Sequence, residues 1–278
     1  MAEGVRILSM NDNDNGDAYA GDDAYTLLPG NDGGGVLFLC DHASKRIPPE
    51  YGTLGLDEAM LWRHIAWDIG AADVTRRLAA IFSAPALFGG YSRLLADLNR
   101  FMDDPSVMPV ISDGVEIPAN KGIDAAERER RRRAYYAPYH DAVDARLSAM
   151  EETGVVPAVF SIHSFTPIMN GFERPWHVGI LWGEDGRLAR PMLEALGRNP
   201  ALTVGDNQPY SAREPYGYTT EHHCVSRGLP HVVVEIRQDL IDTHHGAEEW
   251  ANILADAIRR TLAAGRPFSR QFFTRQAS

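Results

Sequence analysis

Three stretches of this chain finish on residues that can do chemistry. Residues 158–165 read AVFSIHSF, an apolar run closing on His163 between Ser161 and Ser164. Residues 36–40 read VLFLC and lead straight into Asp41 and His42. Residues 231–236 read HVVVEI and bring Glu235 to the end of a β-branched run. A buried imidazole must have its nitrogens satisfied, and neutral imidazole is also the commonest metal ligand. Zinc takes nitrogen and oxygen ligands at about 2.0–2.2 Å and, in catalytic sites, keeps one position for water, whose pKa it lowers to about 7. Two imidazoles and a carboxylate can therefore make a zinc site with a catalytic base. The alternative is a set of buried polar residues with ordinary hydrogen bonds.

Those residues can meet only if the elements carrying them share an edge. Residues 36–40, 158–163 and 231–236 read as strands, with 84–89 and 177–182 as further candidates. Helical spacing runs through 57–82, with Leu61, Ile65, Ile69, Val74, Leu78 and Ile81, and through 127–150, with Tyr136, His140, Val143, Leu147 and Met150. Residues 187–197 and 247–264 read as two more helices; Pro191 is tolerated only in a first turn. Strands alternating with helices predict an α/β fold, a mixed, largely parallel central sheet with helices on both faces. In such sheets the ligand crevice lies outside the carboxyl ends of the strands, where His42, His163 and Glu235 arrive.

The rest of the composition narrows the partners. The chain has 278 residues and a formal net charge of -11, which disfavours nucleic acid and acidic membranes. No apolar run is long enough to span a bilayer, and the N-terminus has no basic start or apolar h-region. Two cysteines, Cys40 and Cys224, stand far apart, which fits two packed thiols in a reducing cytoplasm. Glu3, Asp12, Asp14, Asp17, Asp22, Asp23 and Asp32 face a single Arg6, so residues 1–33 read as a solvated, disordered acidic tail. Residues 34–278 read as one α/β domain.

DHASKRIPPEYGTLGL, HIAWDIGA, YSRLLADLNR, SIHSF, DNQPYS and EIRQDLI, in that order, resemble the N-formylglutamate amidohydrolase family. The resemblance runs from about Val36 to the final helix. That family is distantly similar to the zinc carboxypeptidases, with their phosphorylase/hydrolase-like α/β fold. The resemblance implies one Zn2+ per chain, a metal histidine in SIHSF (His163) paired with His42, and Glu235 of EIR as general base. It also implies an asparagine–arginine pair, Asn99 and Arg100 of LNR, holding a substrate carboxylate. One position departs from the carboxypeptidase pattern: three residues after His42, where those enzymes carry a glutamate, stands Lys45. The resemblance offers Asp68 of HIAWD as the third ligand. His64, on the same face if the segment is helical, is the reserve, and Asp41 and Glu50 are weaker choices. Asp68 could instead cap a helix.

N-formylglutamate is a dianion, and arginine is suited to bidentate carboxylate recognition. Arg93 is expected to polarise the scissile carbonyl or to bind the second carboxylate, unless one arginine pairs with Asp97 or Asp103. Asn207 is read as a substrate hydrogen-bonder or a turn residue, and Arg237 as orienting the base or binding an anion. His140 and His223 are read as core or supporting residues, and nothing in the spacing of Lys121 ties it to a ligand. The resemblance implies zinc-dependent hydrolysis of the amide bond of an N-acyl amino acid, N-formyl-L-glutamate to L-glutamate and formate, with a small anionic substrate, no nucleic acid, no membrane, and homo-oligomerisation left open. A deacylase for another acyl group, a carboxypeptidase-like amidase and a non-catalytic zinc-binding module are the alternatives.

Overall fold

The computed structural model describes residues 23–213 and 217–273. Seven strands form the central sheet: β1 (Tyr25–Leu28), β2 (Val36–Cys40), β3 (Ala86–Gly89), β4 (Ala158–Phe165), β5 (Val178–Leu181), β6 (Val204–Asp206) and β7 (His231–Arg237). Their order is β1-β3-β2-β4-β7-β5-β6. β1 is antiparallel to β3 and β5 is antiparallel to β7, while the other neighbours are parallel. The four parallel strands β3, β2, β4 and β7 therefore deliver their carboxyl ends to one edge.

Alternation along each strand sorts the side chains between two faces. Phe38, Phe160, Ile162, Val232 and Val234 enter one core with α1 (Ala71–Phe82), α4 (Ala189–Gly197) and α5 (His244–Gly265). Leu37, Leu39 and Val159 enter the other, against Tyr139, Val143, Leu147 and Met150 of α3 (Ala137–Glu152). Strand parity is what places the chemistry: His163 and Glu235 lie on the α3 face, in step with Val159 and out of step with Ile162 and Val234. In the parallel register Glu235 stands directly opposite His163.

Two expected helices are interrupted for local reasons. The stretch 57–82 is a 3-10 turn at Glu58–Trp62, a series of turns, and then α1. Gly70 at the start of α1 has φ +79, and a Cβ there would lie 2.1 Å from the Ile241 carbonyl oxygen. Ile65 packs with Leu54, Leu94 and Leu95 in a satellite cluster instead of along α1. The stretch 127–150 becomes α2 (Ala125–Arg131), a π turn at Arg132–Tyr136, and α3. Pro138 lacks an N–H for the ladder, and a widened turn before it accommodates its ring. Pro191 falls in the first turn of α4, where its missing N–H is harmless.

The acidic tail is shorter than its charge pattern suggests. Tyr25–Leu28 form the edge strand β1, with Tyr25 opposite Gly89. Arg146 Nη1 reaches both Asp32 carboxylate oxygens, at 2.9 and 2.8 Å. The expected disorder thus fails for residues 25–33, because β1 satisfies the free edge of β3. The rest of that tail, residues 1–22, lies outside the described residues. Among the described residues no helix is long and apolar enough to cross a membrane.

Candidate active site

The turn after β2 carries His42 across the carboxyl edge. Its backbone carbonyl accepts a hydrogen bond from Asp68 N at 2.9 Å, joining two segments 26 residues apart. Asp68 is not a helix cap, since Gly70 holds that position. Its Oδ2 instead lies 2.8 Å from His163 Nδ1 and 3.4 Å from His42 Nδ1, and accepts from Ser164 N at 3.3 Å. Its Oδ1 meets the Arg93 guanidinium. His42, Asp68 and His163 are only 5%, 3% and 3% exposed. Each offers one ligand atom, all within 4.8 Å of one another, so the three could hold a metal ion.

The hydrogen bonds behind the two histidines orient them for this. His42 Nε2 meets Asp97 Oδ1 at 2.7 Å. Asp97 can only accept, so this bond assigns the proton to Nε2 and leaves Nδ1 with a bare lone pair. That Nδ1 is sealed from solvent and has no hydrogen-bond partner. A carboxylate behind the distal nitrogen of a histidine is the usual support for a metal-binding imidazole. The distal Nε2 of His163 faces Ser161 Oγ at 3.1 Å and Asp41 Oδ2 at 3.5 Å, and Tyr139 donates its hydroxyl to Asp41 Oδ1 at 2.5 Å. Burial, reinforced by the Arg93 charge, lowers the His42 pKa to about 4, so the ring is neutral at physiological pH.

Glu235 completes the cluster. It is 7% exposed, and its Oε2 is sealed with no hydrogen-bond partner. Burial pushes its carboxyl above the ordinary range, although His163 and Arg93 pull the other way. Leaving two polar atoms sealed and unpartnered in a folded core is costly. A cation beside His42 Nδ1 and a water beside Glu235 Oε2 would satisfy both, and the donor set suits zinc.

The other expected residues divide. Arg93 is brought to the cluster, paired with Asp68 and not with Asp97 or Asp103. Asn99 borders it through the backbone, its N bonding Asp97 Oδ1 at 2.8 Å, while its Oδ1 accepts from Thr219 N at 3.1 Å. Arg100 follows directly, and its charge helps to keep the Asp97 carboxyl ionised. Asn207 is a turn residue at φ +52 whose Oδ1 accepts from Trp182 N and Ala212 N at 3.0 and 3.1 Å; its Nδ2 is sealed without a partner. Arg237 pairs with Asp239 through Nε at 2.8 Å and Nη2 at 3.2 Å, so it neither orients Glu235 nor offers that edge to an anion. The reserve ligands lie elsewhere: His64 is 3.3 Å from Asp113, Glu50 accepts from Tyr135 OH, and Asp41 stands behind His163. Lys45 turns its ammonium over the Trp62 ring, 3.7 Å from the centroid. Lys121 pairs with Glu116 at 2.5 Å.

Sequence reasoning missed three residues here. Asp97 was weighed only as an arginine partner, though it precedes Asn99 by two in the same motif. Tyr139 lies on α3 with no sign in its spacing that it reaches Asp41. Arg174 stands in the loop before β5, with nothing in its local spacing to mark it.

His140 and His223 lie apart, as a buried pair. His140 Nδ1 meets His223 Nε2 at 2.9 Å, and His223 Nδ1 meets Asp144 Oδ1 at 2.8 Å. Asp144, His222 and His223 could also be arranged around an ion, but both His223 nitrogens already have partners. Burial, with His223 alongside, lowers the His140 pKa from 6.5 to about 3, and burial lowers His223 too. The unfolded chain then binds the extra protons, so their contribution is complete above pH 6.5 and shrinks as pH falls towards 3. His42, also lowered, acts in the same sense, and His163, shifted upwards, in the opposite one. Urea unfolding should show a lower midpoint at pH 5 than at pH 7, with a slope of about 1 kcal/mol per pH unit. A midpoint flat or rising over that interval would contradict the neutral pair.

At the carboxyl edge of this mixed sheet stand two histidines, an aspartate and a buried glutamate, a donor set that could serve a hydrolase. The N-formylglutamate amidohydrolase family model matches residues 34–242, and the chain belongs to that family. It is an amidohydrolase. A solved gene product of Agrobacterium tumefaciens is 38% identical, with a TM-score of 0.83 over 87% of this chain and 96% of that one. An N-formylglutamate amidohydrolase from Ralstonia eutropha JMP134 is 19% identical and shares the fold, with a TM-score of 0.55 over 87% of this chain and 98% of that one. No curated protein matches the chain.

Proposed function

We propose that this protein is a zinc-dependent deformylase that converts N-formyl-L-glutamate and water to L-glutamate and formate. The observation that carries the reading is the pair of sealed, unpartnered atoms, His42 Nδ1 and Glu235 Oε2, beside Asp68 and His163. In this reading His42, Asp68 and His163 hold the ion, which supplies Lewis acidity and a water of lowered pKa. Glu235 takes a proton from the attacking water and delivers it to the leaving amine, a role suited to a carboxyl whose pKa burial has raised. The C–N bond breaks as the new C–O bond is retained in formate. Arg93 stabilises the charge developing on the formyl oxygen. Asn99 and Arg100 hold the α-carboxylate, Arg100 contributing the charge. Asn207 braces the neighbouring loop through Trp182 N and Ala212 N, and its part in holding substrate is through that loop. Two buried, unpaired cysteines fit a cytoplasmic setting.

The substrate assignment is tested by amine release from N-formyl-L-glutamate, N-acetyl-L-glutamate and N-formyl-L-methionine. The expected result is highest kcat/KM on N-formyl-L-glutamate, with the acetyl compound at least about tenfold poorer, as an added methyl in a tight pocket can impose. Preference for the acetyl compound would make the protein a deacylase for a larger acyl group.

A further inference from the structure

Arg174 is a buried cation with no acidic partner among the described residues. It is 8% exposed. Its Nη1 donates to the Thr166 carbonyl at 3.3 Å and to Tyr210 OH at 3.0 Å, both neutral acceptors. The guanidinium lies over the rings of Phe165, 5.7 Å from the centroid, and Tyr210, 4.9 Å. No carboxylate of a described residue lies within ion-pair distance of it. The other buried or half-buried arginines around the site differ: Arg93 has Asp68 and Arg237 has Asp239. A guanidinium largely withdrawn from water without a counter-ion carries a cost, and its Nε and Nη2 are not among the sealed atoms, so they face open space.

Its position gives those groups a use. Phe165 is two residues past His163, on the same face of β4, and is paired in register with Arg237 of β7. Arg174 therefore covers the end of the strand that carries His163. Its charge acts on both Glu235 and His64. Nη1 holds the side chain in place, whereas Nε and Nη2 make no hydrogen bond within the described residues. Those two N–H groups form the planar edge that accepts a carboxylate side-on.

We propose that Arg174, held by Tyr210 and Phe165, is the subsite for the side-chain carboxylate of the substrate and sets the preference for acidic N-acyl amino acids. This rests on the deformylase reading for the substrate's identity. It frees Arg93 for the formyl oxygen and leaves Asn99 and Arg100 with the α-carboxylate, so that the two carboxylates of the dianion meet two different arginines.

The test compares N-formyl-L-glutamate with N-formyl-L-glutamine, a neutral near-isostere, on the zinc-loaded wild type and on Arg174→Met and Arg174→Lys. Binding of glutarate and of butyrate is measured alongside by calorimetry. For Arg174→Met, kcat/KM on the glutamate compound should fall about 30- to 100-fold, mainly through KM, as expected for losing a charged hydrogen-bonded pair. The glutamine compound should change by less than about threefold, the scale of a contact it does not make. Arg174→Lys should recover part of the preference. Equal losses on both compounds, as misfolding would give, or unchanged discrimination would overturn the subsite. If the wild type hydrolyses neither compound, the deformylase reading fails, and the subsite is then judged by glutarate alone. Glutarate binding that exceeds butyrate binding and disappears in Arg174→Met upholds it; glutarate binding indifferent to the substitution overturns it.

Discussion

Glu235→Gln is expected to lower kcat about 10²- to 10⁴-fold while leaving metal content unchanged, the span that loss of a general base produces. Glutamine keeps the shape of the side chain and the strand pairing with His163, but it cannot accept and return a proton. Glu235 is not one of the three residues whose ligand atoms cluster, so the ion should remain. Stability should move the other way. Burial raises the Glu235 carboxyl above its ordinary range, so folding opposes its ionisation, and the cost grows as pH rises above 4.5. Metal-free Glu235→Gln should therefore unfold at a urea concentration no lower than wild type at pH 8. Residual turnover within tenfold of wild type would assign the proton transfer to another group.

Asp68→Asn is the second large effect. The substitution preserves volume but removes the only carboxylate among the three clustered residues and leaves Arg93 without its partner. Replacing a residue that merely supports a metal ligand costs about 10- to 100-fold in affinity; loss of an anionic ligand should exceed that. Competition with a chromogenic zinc chelator measures it directly. Activity assayed without added zinc should fall with the affinity. Wild-type zinc affinity in Asp68→Asn would return Asp68 to a structural role and leave the third ligand to be found.

The strand ends were legible because each rests on a simple physical pattern. An apolar run that stops on a polar residue identifies a strand leaving the core, and parity along β4 and β7 places His163 and Glu235 on one face. Asp68 was not legible that way. It lies in irregular turns, and only the family resemblance pointed to it; a helix over 57–82 would put His64 on its face, but those turns carry His64 to Asp113 instead. Arg237 shows where parity misleads. It does share a strand face with Glu235, but Asp239 in the following turn captures it. Asn207 followed its residue type, since asparagine tolerates the left-handed conformation that the turn requires. Asp97, Tyr139 and Arg174 make contacts across distant parts of the chain, and no local spacing encodes such contacts. The acidic tail was misjudged between residues 25 and 33 because charge density concealed a four-residue edge strand.

The most direct test of the central claim is a zinc titration of the metal-free protein, with turnover of N-formyl-L-glutamate and bound zinc measured on the same samples. Turnover should rise in proportion to zinc and saturate at about one ion per chain, as a single catalytic site of three protein ligands requires. The same titration of His163→Ala should show neither tight zinc nor turnover. Full turnover in the metal-free wild type, or zinc taken up by His163→Ala as by the wild type, would contradict the assignment of the ion to His42, Asp68 and His163.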